Sequence, residues 1–264
     1  MRARPLALVT GASTGIGYEF AKLCAERGYD LIIAADEAEI LHVAEELRGG
    51  DLRVWELRCD LSTMAGVEAL YGLARRLTRP IDILIANAGR GLGGAFLEQD
   101  YAEIRRVIDT NVTGTVYLTQ LVGRDMRSRG AGRILVVGSI AGYIPGSFQA
   151  VYHGTKAFLD NFAAALADEL EGSGVTVTCL MPGVTDTEFF RRAGMLDTQA
   201  GRSAKDDPAE VARQGFEALL EGRREIVTGW RNKLLSMTAQ LTPAWLLAWS
   251  NRQLSAPDGR GKSH

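Results

Sequence analysis

The chain has 264 residues, of which 46% are hydrophobic and 23% are charged. This length is enough for one large α/β domain with a full core, and the apolar fraction excludes an intrinsically disordered chain. With 30 Lys and Arg residues against 32 Asp and Glu residues, the net charge is -2. No basic footprint for nucleic acid is therefore present.

Cysteine content and hydropathy predict the compartment. The three cysteines, Cys24, Cys59 and Cys179, lie in apolar runs, which favours buried free thiols over a disulfide scaffold or a metal site. The start of the chain has few apolar residues before a glycine turn, so no signal peptide is predicted. No run approaches the roughly 20 apolar residues of a membrane span. We expect a cytoplasmic globular protein without a metal.

Short apolar runs alternate with helical patterns along the chain. Strands are predicted at residues 5–10, 31–35, 53–59, 81–86, 133–137, 175–180 and 225–228. Helices are predicted from the first glycine turn to about residue 28, and at 37–48, 63–78, 102–129, 152–171 and 208–221. Apolar strands that are each separated by a helix form a parallel sheet covered on both faces. The pattern predicts a doubly wound α/β domain over residues 1–230, with its ligand beyond the carboxyl ends of the strands.

The C-terminal part has a different pattern. Trp245 and Trp249 follow Pro243 within residues 233–254, which predicts one or two short amphipathic helices in an extension over 231–255. Packing on the body or on a sister subunit is favoured over a membrane-surface role, because basic residues on the polar face are few. Residues 256–264 are small and polar, and we expect them to form a frayed tail.

A glycine-rich turn follows the first strand, with the sequence TGASTGIG at residues 10–17. Glycines at such a turn let the backbone approach a pyrophosphate, whose charge meets free N–H groups at the helix N-terminus. The strand before the turn and the helix after it favour this interpretation over a simple turn. The predicted cofactor contacts here are Gly11, Ser13, Thr14, Gly15, Ile16 and Gly17.

Acidic residues at the end of the second strand predict the choice of cofactor. Asp36 follows Gly17 by 19 residues, where a carboxylate holds the ribose hydroxyls; the alternative is a helix N-cap. No Arg or Lys lies between Tyr29 and Leu47 or in the glycine turn. A 2′-phosphate would meet Asp36 and Glu37 without a cationic partner, so NAD is predicted and NADP is the alternative.

Two further strand ends carry candidate cofactor residues. Asp60, followed by Leu61, closes the third strand, where its carboxylate could accept from an adenine amino group or cap the next helix. The fourth strand runs into Asn87, Ala88 and Gly89, whose small side chains let a ribose lie against the backbone.

Tyr152 and Lys156 form a candidate catalytic pair, because their spacing places both on one face of a helix. A phenol with a pKa near 10 is a poor base at neutral pH. A nearby ammonium lowers that pKa toward the working range. Ser139, just past a strand, would reach the same sheet edge and hydrogen-bond a substrate carbonyl, which distinguishes this pair from a chance surface contact.

Together these motifs resemble the short-chain dehydrogenases/reductases in their single-domain form. The resemblance covers about residues 5–230 and includes TGASTGIG, Asp60, the NAG at 87–89, Asn111, Ser139, YHGTK at 152–156 and PGVTDT at 182–187. It implies a Rossmann fold and an NAD(P)-dependent oxidoreductase that acts on a secondary alcohol or ketone. Alternatives are an idle dinucleotide sensor and an epimerase or dehydratase on the same fold.

The resemblance also implies roles for the site residues. Tyr152 would be the acid/base, Lys156 would lower its pKa and hold the nicotinamide ribose, and Ser139 would position the reacting oxygen. Asn111 would support Lys156 through an ordered water. The nicotinamide carboxamide would be held by Pro182, Gly183, Val184, Thr185 and Thr187.

One departure from the family concerns the ribose acid. In NAD-using members it usually stands one position earlier, where this chain has Ala35. Asp36 instead takes the place at which many NADP-using members have Arg. Since an acid there repels a 2′-phosphate, NAD remains the prediction.

Family position also predicts the substrate wall and the assembly. The wall would be mostly apolar, which indicates a hydrophobic alcohol or ketone, and residues 189–207 would form a lid. His153 would touch substrate or be an exposed helix histidine. Pairing through helices 102–129 and 152–171 would give a homodimer or homotetramer. The predicted wall comprises residues 91–96, 144–148 and 184–196 together with His153, and its apolar members are Ile144, Phe148, Phe189, Phe190, Met195 and Leu196.

Overall fold

The computed structural model describes residues 4–195, 197–202 and 205–255. The strands are β1 (Leu6–Thr10), β2 (Asp30–Ala35), β3 (Val54–Arg58), β4 (Ile83–Ala86), β5 (Gly132–Val137), β6 (Val175–Met181) and β7 (Glu225–Val227). The helices are α1 (Gly15–Glu26), α2 (Glu39–Leu47), α3 (Met64–Arg76), α4 (Tyr101–Ile108), α5 (Thr115–Arg129), α6 (Ala150–Glu169), α7 (Phe189–Arg192), α8 (Gln199–Arg202), α9 (Pro208–Leu220), α10 (Trp230–Leu241) and α11 (Ala244–Ser255).

The strands form one parallel sheet in the order β3-β2-β1-β4-β5-β6-β7. The order of the strands reverses between β1 and β4, and this topology opens a crevice at their carboxyl ends. β1, β2 and β4 are buried along their whole length, as expected for strands with helices on both faces. The predicted doubly wound sheet, a Rossmann fold, is confirmed.

Alternation along the strands divides the core between the two faces of the sheet. Leu31 and Ile33 of β2 pack on one face with Phe20 of α1 and Phe216 of α9. Ile32 points to the opposite face, where helices α3, α5 and α6 pack. Successive side chains of a strand point to opposite faces, so a wholly apolar strand serves both cores.

The predicted helix over residues 102–129 is wrong in its middle. It divides into α4, a π-helical turn at Asp109–Gly114, and α5. Gly114 lies against the backbone of Leu61, and a Cβ at that position would come within 2.0 Å of the Leu61 carbonyl oxygen. A π turn contains one residue more than an α-helical turn, and the apolar periodicity of the sequence does not reveal this extra residue. Other helix and strand boundaries differ from the predicted ones by no more than two residues.

The C-terminal extension forms two helices, α10 and α11, on either side of Pro243. α10 contacts the 3₁₀ turn at Ile140–Tyr143, and α11 contacts α8. The Ser147 hydroxyl donates to the Ala248 carbonyl at 3.1 Å. The extension therefore packs on the body.

Among the described residues, none of the helices combines the length and the apolar character that crossing a bilayer requires.

Candidate active site

A cleft of about 350 Å³ opens at the carboxyl ends of the strands. Ser139, Tyr152 and Lys156 lie in its wall together with every residue predicted to bind the cofactor. The other cofactor candidates in the lining are Gly11, Ser13, Thr14, Gly15, Ile16, Gly17, Asp36, Asp60, Leu61, Asn87, Ala88, Gly89, Pro182, Gly183, Val184, Thr185 and Thr187.

The glycine turn has a shape that other residues could not adopt. Gly11 and Gly15 have φ values of 64° and 59°, in the left-handed region that favours glycine. A Cβ on Gly17 would lie 2.1 Å from the Gly11 carbonyl oxygen, and one on Gly15 would lie 2.7 Å from Cγ2 of Thr187. The turn therefore presents bare backbone at the start of α1, which fits an anionic diphosphate group.

Asn87 connects the end of β4 to the end of β1. Its side-chain nitrogen donates to the carbonyls of Thr10 at 2.9 Å and Gly11 at 3.1 Å. The Thr10 hydroxyl in turn accepts from the backbone N–H groups of Asn87 and Ala88, both at 3.0 Å. These bonds fix the floor of the cleft beneath the glycine turn.

Arginines from distant parts of the chain accompany the acidic end of β2. Asp36 forms an ion pair with Arg90, and Nη2 of Arg106 lies 3.4 Å from Oδ2 of Asp36. Oε2 of Glu37 lies 2.9 Å from Nη2 of Arg192. The expectation of acids without a cationic partner is therefore wrong, because these arginines are remote in sequence and arrive only through the fold.

Neither acid at the strand ends caps a helix with its side chain. The N-cap of α2 is Ala38 rather than Asp36. At α3 the cap is Thr63, whose hydroxyl accepts from the Gly66 N–H at 3.0 Å. Asp60 accepts from the Ser62 N–H at 2.9 Å and lies 3.9 Å from Arg106. Asp36 and Asp60 both line the cleft.

Tyr152, Ser139 and Lys156 meet in one wall of the cleft. Ser139 precedes the 3₁₀ turn after β5, and the other two lie at the start of α6. Tyr152 and Ser139 both line the cleft. Nζ of Lys156 donates to the Val137 carbonyl at 2.7 Å and lies 5.9 Å from the centroid of the Tyr152 ring. A phenol, a hydroxyl and an amino group are thus close together in the cleft.

Burial controls the protonation of this group. It raises the pKa of Tyr152 to about 12, against the smaller lowering effect of the polar Ser139 side chain. Burial also lowers the pKa of Lys156, while the nearby Asp160 carboxylate raises it. The net shift of Tyr152 is upward, the reverse of the shift predicted from the Tyr–Lys spacing, since removing the phenolate from water outweighs the other effects.

Asn111 lies behind the cleft wall and has no exposed surface. Its Oδ1 accepts from the Arg90 N–H at 2.7 Å, and its Nδ2 donates to the Arg90 carbonyl and the Thr155 hydroxyl, both at 2.9 Å. A Cβ on Gly89 would lie 3.5 Å from Oδ1 of Asn111 and 3.6 Å from Nζ of Lys156. The π turn thus places Asn111 beside Lys156; such turns are frequent at functional sites.

Asp160 is a site residue that the sequence reasoning missed. Its Oδ1 accepts from the Ser139 N–H at 3.2 Å and lies 3.6 Å from Sγ of Cys179, and its Oδ2 is buried without a hydrogen-bond partner. The carboxyl occupies the space left by Gly138, where a Cβ would lie 1.8 Å from Oδ1. The sequence could have indicated Asp160, because an acid four residues after Lys156 lies on the same face of the helix.

The predicted substrate wall is only partly assembled. Ile144, His153, Phe189 and Phe190 line the cleft, whereas Phe148 does not. Met195 is buried outside the lining, where a Cβ on Gly93 would lie 2.5 Å from Cγ of Met195. Leu196 lies outside the described residues.

His153 and Phe189 flank Tyr152. His153 is buried rather than exposed, and its Nδ1 lies 2.7 Å from the Ile144 carbonyl oxygen. The Phe189 ring centroid lies 4.9 Å from that of Tyr152. Two aromatic rings, one of them an imidazole, therefore flank the phenol.

The C-terminal extension supplies lining residues that no motif indicated. The amide nitrogen of Gln149 donates to the Ser255 hydroxyl at 3.4 Å, which brings the end of α11 to the start of α6. The lining residues from α10 and α11 are Leu235, Asn251, Leu254 and Ser255.

Comparison with known proteins decides the family. Residues 5–195 match the sequence model described as short chain dehydrogenase. The chain belongs to the short-chain dehydrogenase/reductase family. It is accordingly an NAD(P)-dependent dehydrogenase/reductase.

Relatives of this short-chain dehydrogenase extend over most of its length. It is 28% identical over 247 residues to the ketoacyl reductase HetN of Nostoc sp., covering 89% of this chain and 84% of that protein. A short-chain dehydrogenase from Sphingobium yanoikuyae, solved with NADPH, is 30% identical, with a TM-score of 0.79 and coverage of 89% and 93%. One from Burkholderia phymatum, solved with NAD, is 25% identical, with a TM-score of 0.80 and coverage of 90% and 92%.

Proposed function

We propose that this short-chain dehydrogenase transfers a hydride between NAD(H) and a secondary alcohol or ketone with apolar substituents. The observation that carries the proposal is the meeting of Tyr152, Ser139 and Lys156 in the same cleft as the glycine turn. A pure dinucleotide sensor would have no need for a phenol, a hydroxyl and an ammonium grouped at this place.

The residues present fit a nicotinamide dinucleotide. Backbone N–H groups of the turn at residues 11–17 would bind the diphosphate, and Asp36 would accept from the ribose hydroxyls. Lys156 would hold the second ribose, and residues 182–187 would hold the carboxamide. When bound, the cofactor supplies or accepts the hydride.

Proton transfer falls to Tyr152. With its pKa raised by burial, the phenol is protonated at neutral pH, which is the form that donates to a carbonyl oxygen as the carbon gains a hydride. Ser139 donates a hydrogen bond to the same oxygen, and Lys156 stabilises the phenolate that remains. In alcohol oxidation the phenolate accepts the hydroxyl proton instead. Asn111 positions Lys156 from behind.

The choice of NAD(H) rests on charge at the end of β2. Asp36 is already paired with Arg90, so a 2′-phosphate would have to break that ion pair and lie beside the displaced carboxylate. NADP(H) is the second candidate, because Arg90, Arg106 and Arg192 all lie close to the acids. Of the two related structures, one holds NADPH and the other NAD.

The apolar wall supports a hydrophobic substrate. Phe189 and Phe190 form a T-shaped ring pair, with centroids 5.5 Å apart, beside the phenol. Ile144 and Leu254 extend this lining. The relative HetN is named a ketoacyl reductase, which is consistent with a ketone that carries an apolar chain.

The first experiment titrates the protein with NADH and NADPH by energy transfer from tryptophan. Tighter binding of NADH supports the proposal, and tighter binding of NADPH selects the second candidate. A screen of secondary alcohols and ketones follows. Tyr152→Phe should keep cofactor affinity and lose turnover by about 100-fold or more, with the exposed Tyr101→Phe as control. Unchanged turnover in Tyr152→Phe would contradict the mechanism.

A further inference from the structure

The two C-terminal helices leave large apolar side chains in solvent. Each of these side chains has between 39% and 72% of its surface exposed. We call this set the C-terminal apolar surface. It consists of Trp230, Leu234 and Leu235 on α10 and Trp245, Leu246, Trp249 and Leu254 on α11.

Helical spacing groups these side chains into faces. Trp230 and Leu234 are four residues apart, as are Trp245 and Trp249, so each pair lies on one side of its helix. Three of the four tryptophans of the chain are thereby exposed within two consecutive helices. Scattered single apolar residues are ordinary on a protein surface, whereas a concentration of this kind marks an interaction site.

The C-terminal apolar surface reaches the mouth of the cleft. Leu235 of α10 and Leu254 of α11 belong to this surface and also line the cleft. Anything that covers the surface therefore also borders the entrance through which substrate reaches Tyr152.

Basic residues on α10 and α11 are few, as the sequence analysis noted, but no acidic residue of these two helices offsets their charge. From residue 227 to the end, the sequence has one acidic residue, Asp258, although the whole chain has more acids than bases. Lys233 and Arg252 are exposed on the two helices. Each basic residue near an anionic bilayer contributes about 1 kcal/mol to binding. The basic residues of this stretch are Arg231, Lys233, Arg252, Arg260 and Lys262.

We propose that the C-terminal apolar surface docks on an anionic lipid bilayer, with its tryptophans at the headgroup level and the cleft mouth beside the membrane. Tryptophan favours this interfacial region, and apolar area combined with basic charge is what binds a helix there. A second copy of the chain fits less well, because α10 and α11 offer no acidic side chain to pair with Lys233 and Arg252. The proposal does not depend on the cofactor or the reaction.

The test uses the full chain and co-sedimentation with two kinds of vesicle, phosphatidylcholine alone and phosphatidylcholine containing phosphatidylglycerol. We expect binding to the anionic vesicles, with a blue shift of tryptophan emission. Trp245→Ser with Trp249→Ser should weaken binding about tenfold or more, since both side chains lose their interfacial contact. Leu41→Ser, an exposed apolar residue on α2, is the matched control and should bind as the parent does.

A second variant tests the role of charge independently. Lys233→Glu with Arg252→Glu should remove the preference for anionic over zwitterionic vesicles while leaving the apolar surface in place. Thermal melting checks that each variant is folded. Equal sedimentation with both kinds of vesicle, or full binding by the double tryptophan variant, would overturn the proposal. So would a dimer in sedimentation equilibrium that the double tryptophan variant dissociates, because a second copy would then cover the surface.

Discussion

Asp160 shows how one side chain affects the electrostatics of the whole site. Burial raises the pKa of its carboxyl, while the hydrogen bond from the Ser139 N–H and the Lys156 charge oppose that shift. The same carboxylate adds to the upward shift in the pKa of Tyr152, after the larger effect of burial. Asp160 is therefore a positioning residue that acts through Ser139, Tyr152 and Lys156.

Asp160→Asn should move the pH profile of alcohol oxidation toward lower pH. Removing a negative charge from beside Tyr152 lowers the pKa of the phenol, so its basic form appears earlier, by about one pH unit. The measurement is kcat against pH with the best alcohol found. Asp168→Asn, an exposed acid on the same helix, is the control and should leave the profile in place. An unchanged profile in Asp160→Asn would show that the carboxylate serves packing alone.

His153 should make the protein less stable in mild acid. Burial lowers its pKa, against the opposing effect of its hydrogen bond to the Ile144 carbonyl. The unfolded chain takes up a proton near pH 6.5 and the folded chain does so only at lower pH, so stability falls as the pH drops below about 6.5. Urea unfolding at several pH values should show a smaller loss in His153→Asn than in the parent. His42→Asn, a change at an exposed histidine, should lose as much stability in acid as the parent does. If His153→Asn also loses as much as the parent, His153 is not the source of the pH dependence.

At the scale of elements, the sequence predicted what depends on local period and missed what depends on distant contacts. The apolar strands and the glycine turns were enough to predict the sheet, and the residues at the strand ends were enough to predict the cleft. The π turn around Asn111 was missed because an inserted residue leaves the apolar pattern nearly intact. The partnership of Arg90 with Asp36 was missed because it joins residues that only the fold brings together. Leu254 was missed because no motif marks a helix that returns to the cleft.

The segment around α7 is tied to the glycine turn by one guanidinium. Arg192 lies 2.9 Å from Glu37 and donates to the Thr14 hydroxyl at 3.2 Å. Arg192→Ala should raise the KM for the cofactor up to about fivefold, because a half-exposed ion pair contributes at most about 1 kcal/mol. Arg191→Ala, which pairs locally with Glu188, is the matched control. Steady-state kinetics at varied cofactor concentration measure the KM of both variants. Equal KM values would show that the contacts of Arg192 with Glu37 and Thr14 do not support cofactor binding.

At the scale of the whole molecule, α6 offers a second apolar face. Phe158 is 45% exposed and stacks on Phe162 with ring centroids 6.0 Å apart. We propose that this aromatic pair forms part of a subunit contact, as the homodimer or homotetramer implied by the family resemblance would require.

Phe158→Ser should weaken self-association by at least about tenfold, since it removes a large apolar anchor from the contact. Sedimentation equilibrium at several protein concentrations measures the change. Leu97→Ser, on an exposed 3₁₀ turn, is the control and should associate as the parent does. A parent that sediments as a monomer, or a variant that associates equally well, would remove α6 as the interface.

The side-chain amide of Asn232, in the first turn of α10, lies against the loop after β6. Nδ2 of Asn232 donates to the Asp206 carboxylate and the Thr228 carbonyl, both at 2.8 Å. A Cβ on Gly183 would lie 2.2 Å from the same nitrogen. Asn232 therefore packs against the backbone of a loop that lines the cleft. If binding in the cleft shifts this loop, the effect on α10 and the effect of α10 on binding are equal in free energy, because coupling between two sites is reciprocal.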